Sequence, residues 1–229
     1  METNNQIRQQ IEIFFQNYHH LFFWKKELIL RSDDIFPYVF YVKNGFLRTY
    51  RISEDGEELT LTILQPDDFF PMTYGLNNMP KIYYLEAMTP LELYKAPRNQ
   101  FVDYLKRNHE IFFQLSARIM DRYDGLLARM EYIVWSKAYT KVAATLLLCA
   151  RRFGEYSGNE VTIQVPLTHK DIATLIGITR ETTSIEMKHL EKKGLLTKRG
   201  KLLVVRDILQ LEKESLLNNQ DELLQNQFI

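Results

Sequence analysis

The chain has 229 residues, 45% of them hydrophobic, and 29 lysines and arginines balance 29 aspartates and glutamates. That length admits one large domain or two moderate ones with ample core, and no apolar run approaches the ~20 residues that a membrane-spanning helix needs. One cysteine, Cys149, excludes an internal disulfide framework and suits a reducing compartment. The opening METNNQIRQQIEIFF lacks a basic start followed by an apolar stretch, so cytoplasmic residence is expected.

Residues 2–20 are predicted to be helical, with Ile7, Ile11, Phe14, Phe15 and Tyr18 on one side. From Glu27 to Ala96 the pattern changes to short β-type runs: ELILR, YVFYVKNGFLRTYRI, ELTLTILQ, KIYYLEAM and LELYKA. Turn signals separate them at Ser32-Asp33-Asp34, Asn44-Gly45, Glu54-Asp55-Gly56, Gln65-Pro66-Asp67-Asp68 and Met88-Thr89-Pro90. Many short strands at regular spacing predict a jelly roll or barrel. It is rich in aromatic residues, and Phe70, Tyr74, Lys81 and Tyr83 are the candidates to line a pocket for an apolar or aromatic effector.

Arg98–Arg107 reads as a short helix after Pro97, and a long helix follows from about Asn108 to Trp135. On the long helix, Phe112, Ser116, Ile119, Tyr123, Leu126, Met130 and Ile133 recur at alternating steps of four and three, the seam of a two-stranded coiled coil. A homodimer is the expectation; the alternative is a core helix lying on its own domain. Gly125 falls beside the seam. Ser136 is predicted to cap a further helix through Phe153, with Val142, Leu146 and Cys149 on its apolar face, and VTIQVP supplies a strand.

Residues 166–206 read as a helix-turn-helix followed by a two-stranded wing. Thr168 can cap HKDIATLI, with Asp171 completing a capping box. Gly177 ends that helix, and Thr179 caps RETTSIEMKHLEKK, whose buried stripe should include Thr183, Met187 and Leu190. Gly194 stops the second helix, and LLTKRGKLLVVR gives strand, turn at Arg199-Gly200, strand. The outward residues near the start of the second helix are Arg180, Glu181, Ser184, Ile185 and Lys188, the candidates for reading base edges. Thr168, Thr179, Thr182, Lys198 and Lys201 are candidates for phosphate contacts. Charge supports a nucleic-acid partner despite the overall balance. Residues 136–206 hold 13 lysines and arginines against 6 acidic residues, an excess of seven that leaves the remainder of the chain equally negative. Such segregation focuses positive potential where phosphates would lie.

The run ITRETTSIEMKHLEKKGLL, with HKDIATLIG before it and GKLLVV after it, resembles the cyclic-AMP receptor protein and fumarate–nitrate regulator superfamily. The resemblance is strong over 137–206 and weaker over 22–135. It implies an α+β fold with three parts. An N-terminal β jelly-roll sensor with its leading helix occupies 1–107, a dimerisation helix 108–135, and a C-terminal winged helix-turn-helix with a tail 136–229. It also implies a dimeric regulator bound to double-stranded DNA, with base-edge contacts at Arg180 and Glu181 and RNA polymerase as a further partner. The family commonly has a second arginine where Ile185 stands, which alters the expected half-site. Glu186 occupies a position where the family packs an apolar residue and needs a basic partner.

Nucleotide-binding members of that family carry a Gly-Glu pair after a turn and an Arg-Ser pair further on. Here Phe70-Pro71 and Lys81-Ile82 stand at those places, so a cyclic nucleotide is not the expected effector. Iron–sulfur sensing needs several cysteines. The histidines are His19, His20, His109, His169 and His189, none between 27 and 96, so no haem or metal cofactor is predicted. No nucleophile–base or metal constellation suggests an enzyme. The second reading of the residues is a small-molecule-binding protein whose winged helix mediates protein contacts.

Overall fold

In the computed structural model, which describes residues 2–31, 37–71, 76 and 83–215, the chain divides into two compact units. The first comprises residues 1–51 with 63–117, the second residues 52–62 with 118–229.

Helix α1 (Glu2–Gln16) is followed by strands β1 (His19–Phe23), β2 (Leu28–Leu30), β3 (Tyr38–Asn44), β4 (Leu47–Ile52), β5 (Glu58–Leu64), β6 (Phe69–Phe70), β7 (Tyr84–Ala87) and β8 (Leu91–Pro97), all in the first unit except residue 52 and residues 58–62 of β5, which belong to the second. They form two four-stranded sheets, ordered β1-β8-β3-β6 and β2-β7-β4-β5. The long pairing of β3 with β8 is antiparallel and sets Tyr41 opposite Tyr94. Branched and aromatic residues drive this layering. Leu30, Phe40, Val42, Leu47, Leu85, Leu91 and Leu93 are buried in one core cluster. A second cluster joins Ile7, Ile11 and Phe15 of α1 to Val39, Tyr41, Phe69 and Tyr94 of the first sheet. Phe101 and Leu105 of α2 (Arg98–Arg107) belong to it, as do Ile111 and Leu115 of α3 (His109–Trp135).

Three expectations change here. The N-terminal helix stops at Gln16, short of residue 20, because the side-chain Nδ2 of Asn17 turns back and donates to the carbonyl of Ile13 at 2.8 Å. His19 and His20 instead open β1, whose backbone pairs with β8. Phe70 belongs to the core: it is buried and stacks on Phe40 with ring centroids 5.2 Å apart, so it cannot line an open pocket. Tyr83 packs against the same cluster, and Tyr74 and Lys81 lie outside the described residues.

The second unit contains the rest of α3, then α4 (Ala138–Phe153), β9 (Gly154–Ser157), β10 (Glu160–Ile163), α5 (His169–Ile176), α6 (Arg180–Lys192), β11 (Leu196–Arg199), β12 (Leu202–Val205) and α7 (Ile208–Ser215). Its sheet is ordered β11-β12-β10-β9. Helix α4 is its hub, burying Val142, Leu146 and Cys149 as the apolar pattern predicted. Ser136 does not cap α4. Its amide still bonds to the Tyr132 carbonyl as part of the last turn of α3, and Lys137 occupies the cap position without a side-chain bond.

At the Asn44-Gly45 turn, Gly45 has φ of 87°, and a Cβ there would meet the Pro90 carbonyl oxygen at 2.2 Å. Gly56 has a similar φ of 82° but open space around it. Gly56→Ala should therefore cost only the left-handed backbone penalty, about 1–2 kcal/mol. Gly45→Ala adds a backbone collision and should cost clearly more; urea denaturation of the two variants checks the order.

Candidate nucleic-acid interface

The interface is assembled by short-range chemistry. The Thr168 hydroxyl accepts from the Asp171 amide at 3.2 Å, and the Asp171 carboxylate accepts from the Thr168 amide at 2.7 Å, the reciprocal capping box foreseen in the sequence. Gly177 takes the left-handed conformation, φ 67°, and sends its amide back to the Ala173 carbonyl, closing α5. The Thr179 hydroxyl then accepts from the Thr182 amide at 3.1 Å and starts α6. Thr183, Met187 and Leu190 are all buried beneath α6. Their spacing determines which residues face outward.

Arg180, Glu181, Ile185 and Lys188 are exposed and Ser184 is half-buried, so α6 brings all five predicted base readers to one side. Ile185 leaves 54% of its surface accessible. Glu186, which needed a basic partner, accepts one from His189, whose Nδ1 lies 2.8 Å away. On the wing, Lys198 and Lys201 are exposed at the β11–β12 turn. The threonines differ from the lysines. The Thr168 hydroxyl also donates to Asp171 at 2.6 Å, and the Thr179 and Thr182 hydroxyls lie 2.9 Å from each other. Thr168 and Thr179 are engaged in capping before any phosphate arrives, and one of the Thr179 and Thr182 hydroxyls donates to the other.

Part of the positive excess is paired within the unit. Lys170 pairs with Glu58 at 3.1 Å, Arg199 with Glu160 at 2.8 Å, Lys193 with Glu214 at 2.8 Å and Arg151 with Glu212 at 2.7 Å. The Arg151 and Lys193 pairs tie α7 to the rest of the unit. Cys149 is fully buried in α4, and burial pushes its thiol up to about 12, so it stays protonated and unreactive at neutral pH.

Two residues that matter here are invisible to motif reading. Arg129, on α3, is buried, and its guanidinium donates to the carbonyls of Leu61 at 2.7 Å and Thr60 at 3.2 Å, and to that of Leu175 in the last turn of α5. Beside it the Thr60 and Thr174 hydroxyls lie 2.9 Å apart. The second is His169, whose Nδ1 lies 2.7 Å from the Ser184 hydroxyl. No local pattern marks either residue, since each depends on segments far apart in the chain.

The predicted seam of α3 is partly uncovered, and Phe113, Met120, Leu127 and Val134 beside it are exposed as well. Phe112, Tyr123, Leu126 and Met130 are exposed, and Ser116, Ile119 and Ile133 are half-buried. Gly125, Arg129 and Tyr132 take the covered side.

Comparison with known proteins agrees with this geometry. The family model of the Crp-like helix-turn-helix domain matches residues 140–214, and that of the cyclic nucleotide-binding domain matches residues 21–108. The global nitrogen regulator of Nostoc sp. is 26% identical over 194 residues, 84% of this chain and 87% of the relative. The cAMP-activated global transcriptional regulator CRP of Pasteurella multocida is 25% identical over 207 residues, 90% of this chain and 98% of the relative. Among solved structures, FixK2 from Bradyrhizobium japonicum superposes with a TM-score of 0.73 at 23% identity, covering 85% of this chain and 96% of that one. A CooA mutant from Carboxydothermus hydrogenoformans also reaches 0.73, at 21% identity, covering 88% and 89%. These two structures share the fold.

Arg129→Ala removes a buried cation and its three hydrogen bonds to backbone carbonyls. It should destabilise the second unit by roughly 2–4 kcal/mol, the range for charged hydrogen bonds lost from a buried site. Differential scanning calorimetry checks this, with Arg122→Ala as the comparison, a residue on the same helix that is only half-buried.

Proposed function

The chain belongs to the cyclic-AMP receptor protein and fumarate–nitrate regulator superfamily, and from that premise we propose that it is a sequence-specific DNA-binding transcription regulator acting as a homodimer. The observation that carries the reading is the two-sided character of α6: Thr183, Met187 and Leu190 anchor it, while Arg180, Glu181, Ser184, Ile185 and Lys188 share its outer side. An arginine there can donate two bonds to guanine, a glutamate can accept from cytosine N4, and an isoleucine can touch a thymine methyl. Lys198 and Lys201 on the wing supply phosphate contacts that position the head without specifying sequence. Thr168, Thr179 and Thr182 serve the same end chiefly through the helix starts they cap.

Dimerisation rests on α3. Phe112, Tyr123, Leu126 and Met130 of the seam are among the large apolar side chains exposed on it, and a second copy of the same helix is the partner that their spacing fits. Two-fold pairing places two copies of α6 for two half-sites about one helical turn apart. The roll is the natural place for an effector, which would act by preferring one arrangement of the paired helices. Phe70 is packed in the core, and Phe70-Pro71 and Lys81-Ile82 replace the pairs that nucleotide-binding members carry, so the effector we assign is not a cyclic nucleotide. In this reading the protein works in the cytoplasm, has RNA polymerase as a further partner and is not an enzyme. No helix among the described residues is long and apolar enough to cross a membrane.

Selection from random duplexes, followed by titration of the enriched sequence, tests the proposal. Arg180→Ala should weaken binding by about tenfold or more and relax preference at one position, as loss of a bidentate contact does. Lys201→Ala, which removes one lysine from each protomer, should weaken all duplexes alike and reduce the salt slope, near −7 for about eight neutralised phosphates, by about two. Unchanged affinity and preference after Arg180→Ala with Glu181→Ala would refute these readers and favour protein contacts at the winged helix. In sedimentation, Leu126→Glu with Met130→Glu should convert a dimer into a monomer, and a dimer that survives the pair would contradict the seam.

A further inference from the structure

Ser184 lies in the second turn of α6, and its hydroxyl donates to the Arg180 carbonyl at 2.8 Å. That bond uses the only hydrogen a serine side chain has. The same oxygen stands 2.7 Å from Nδ1 of His169, the first residue of α5. With its proton committed to Arg180, the Ser184 oxygen can only accept, so Nδ1 must carry a hydrogen and donate it. The other ring nitrogen, Nε2, is buried and has no hydrogen-bond partner among the described residues. With Nδ1 already carrying a hydrogen, a second one on Nε2 would make the ring cationic and bury an unsatisfied charged donor, so Nε2 stays bare. The groups acting on the ring point the same way. Burial first, then Lys198 of the wing, hold the imidazole below its ordinary range; Arg180 and Lys188 of α6 add to this and Glu191 opposes it. Neutral His169 with its hydrogen on Nδ1 is the form these surroundings select.

The consequence falls on Ser184. A free serine hydroxyl can rotate to donate or to accept, and so discriminates poorly between base edges. Here one bond takes its hydrogen and a second takes one of its two lone pairs, which leaves a single acceptor lobe. We propose that His169 is a positioning residue that makes Ser184 an acceptor toward DNA, so that the protein prefers, at the base facing Ser184, one with an amino group in the major groove. Cytosine N4 and adenine N6 qualify; guanine and thymine offer only acceptors there, at O6 and N7 or at O4. This inference rests on the DNA-reading role proposed for α6 and adds the chemical class of base read at that step.

Two measurements test it. In the free wild-type protein, 15N NMR of the histidine rings should show His169 neutral with its hydrogen on Nδ1; a ring carrying it on Nε2 overturns the proposal without any variant having to fold. The second is a set of duplexes derived from the selected sequence, changed one base pair at a time, bound to wild type, Ser184→Ala, His169→Ala and His169→Asn. At the position whose preference Ser184→Ala flattens, wild type should favour adenine or cytosine over guanine or thymine by about five- to tenfold, the lower part of the range for a base-edge contact. His169→Ala should reduce that preference to about twofold. His169→Asn, whose amide can donate from a similar place, should keep most of it. A preference for guanine or thymine, full selectivity in His169→Ala, or no position sensitive to Ser184→Ala would each overturn the proposal while leaving the DNA-binding reading intact. Failure of the wild type to enrich any duplex would overturn both.

Discussion

The second unit is organised around one buried cation. Arg129 brings a full positive charge out of water, and the structure compensates with backbone carbonyls rather than a carboxylate: Thr60 and Leu61 from the 52–62 segment and Leu175 from α5. The Leu175 carbonyl belongs to the last turn of its helix, where carbonyls lack intrahelical partners and the helix dipole is negative. A guanidinium with several donors in one plane suits three such acceptors, and a lysine would not reach them in the same way. Because α5 ends at this junction and turns into α6 at Gly177, the junction sets where the outward face of α6 stands within the unit. The Thr60–Thr174 contact and the Lys170–Glu58 pair lie on the same segments and hold the same arrangement.

Around that junction, the helix-turn-helix is stabilised by contacts that rarely span more than four residues. Capping by Thr168 and Asp171, the left-handed Gly177, and the Thr179 cap specify two helices with a tight turn between them. Burial of Thr183, Met187 and Leu190 then chooses which side of α6 remains available. This division of labour explains why hydroxyls that sequence reasoning offers to phosphates are already occupied. Thr168 and Thr179 at the helix starts satisfy the helices' own amide groups, and the exposed lysines of the wing are better placed to follow a backbone. Half-burial of Glu186 against His189 shows the same economy: an acidic residue at a packing position is tolerated because a neighbour three residues on supplies a donor.

Local rules account for what could be read from the sequence. The capping box, the glycine turn, the stripe of α6, the wing turn at Arg199-Gly200 and the limits of α2 all follow from signals within a few residues. The roll was recognisable from its strands and turns, but β1 and β6 were missed; β1 is short with histidines at its start, and its strand state comes from pairing with β8. The end of α1 and the start of α4 went wrong by a few residues because Asn17 and Ser136 bond backward into the helices that precede them. Phe70 failed for a different reason. Composition marks an aromatic roll but does not separate a ring that packs on Phe40 from one that borders a pocket. Arg129 and His169 could not be found at all from spacing, since their partners come from segments brought together only by the fold.

The function proposed for α6 requires its outer side to meet a duplex in the major groove. Hydroxyl-radical and guanine-methylation footprints of the full chain on its selected sequence examine that directly. Two protected major-groove segments on one face of the duplex, centred about one helical turn apart (~34 Å), are what paired copies of this helix should leave. Protection confined to a single groove segment, or none in the major groove at all, would contradict it.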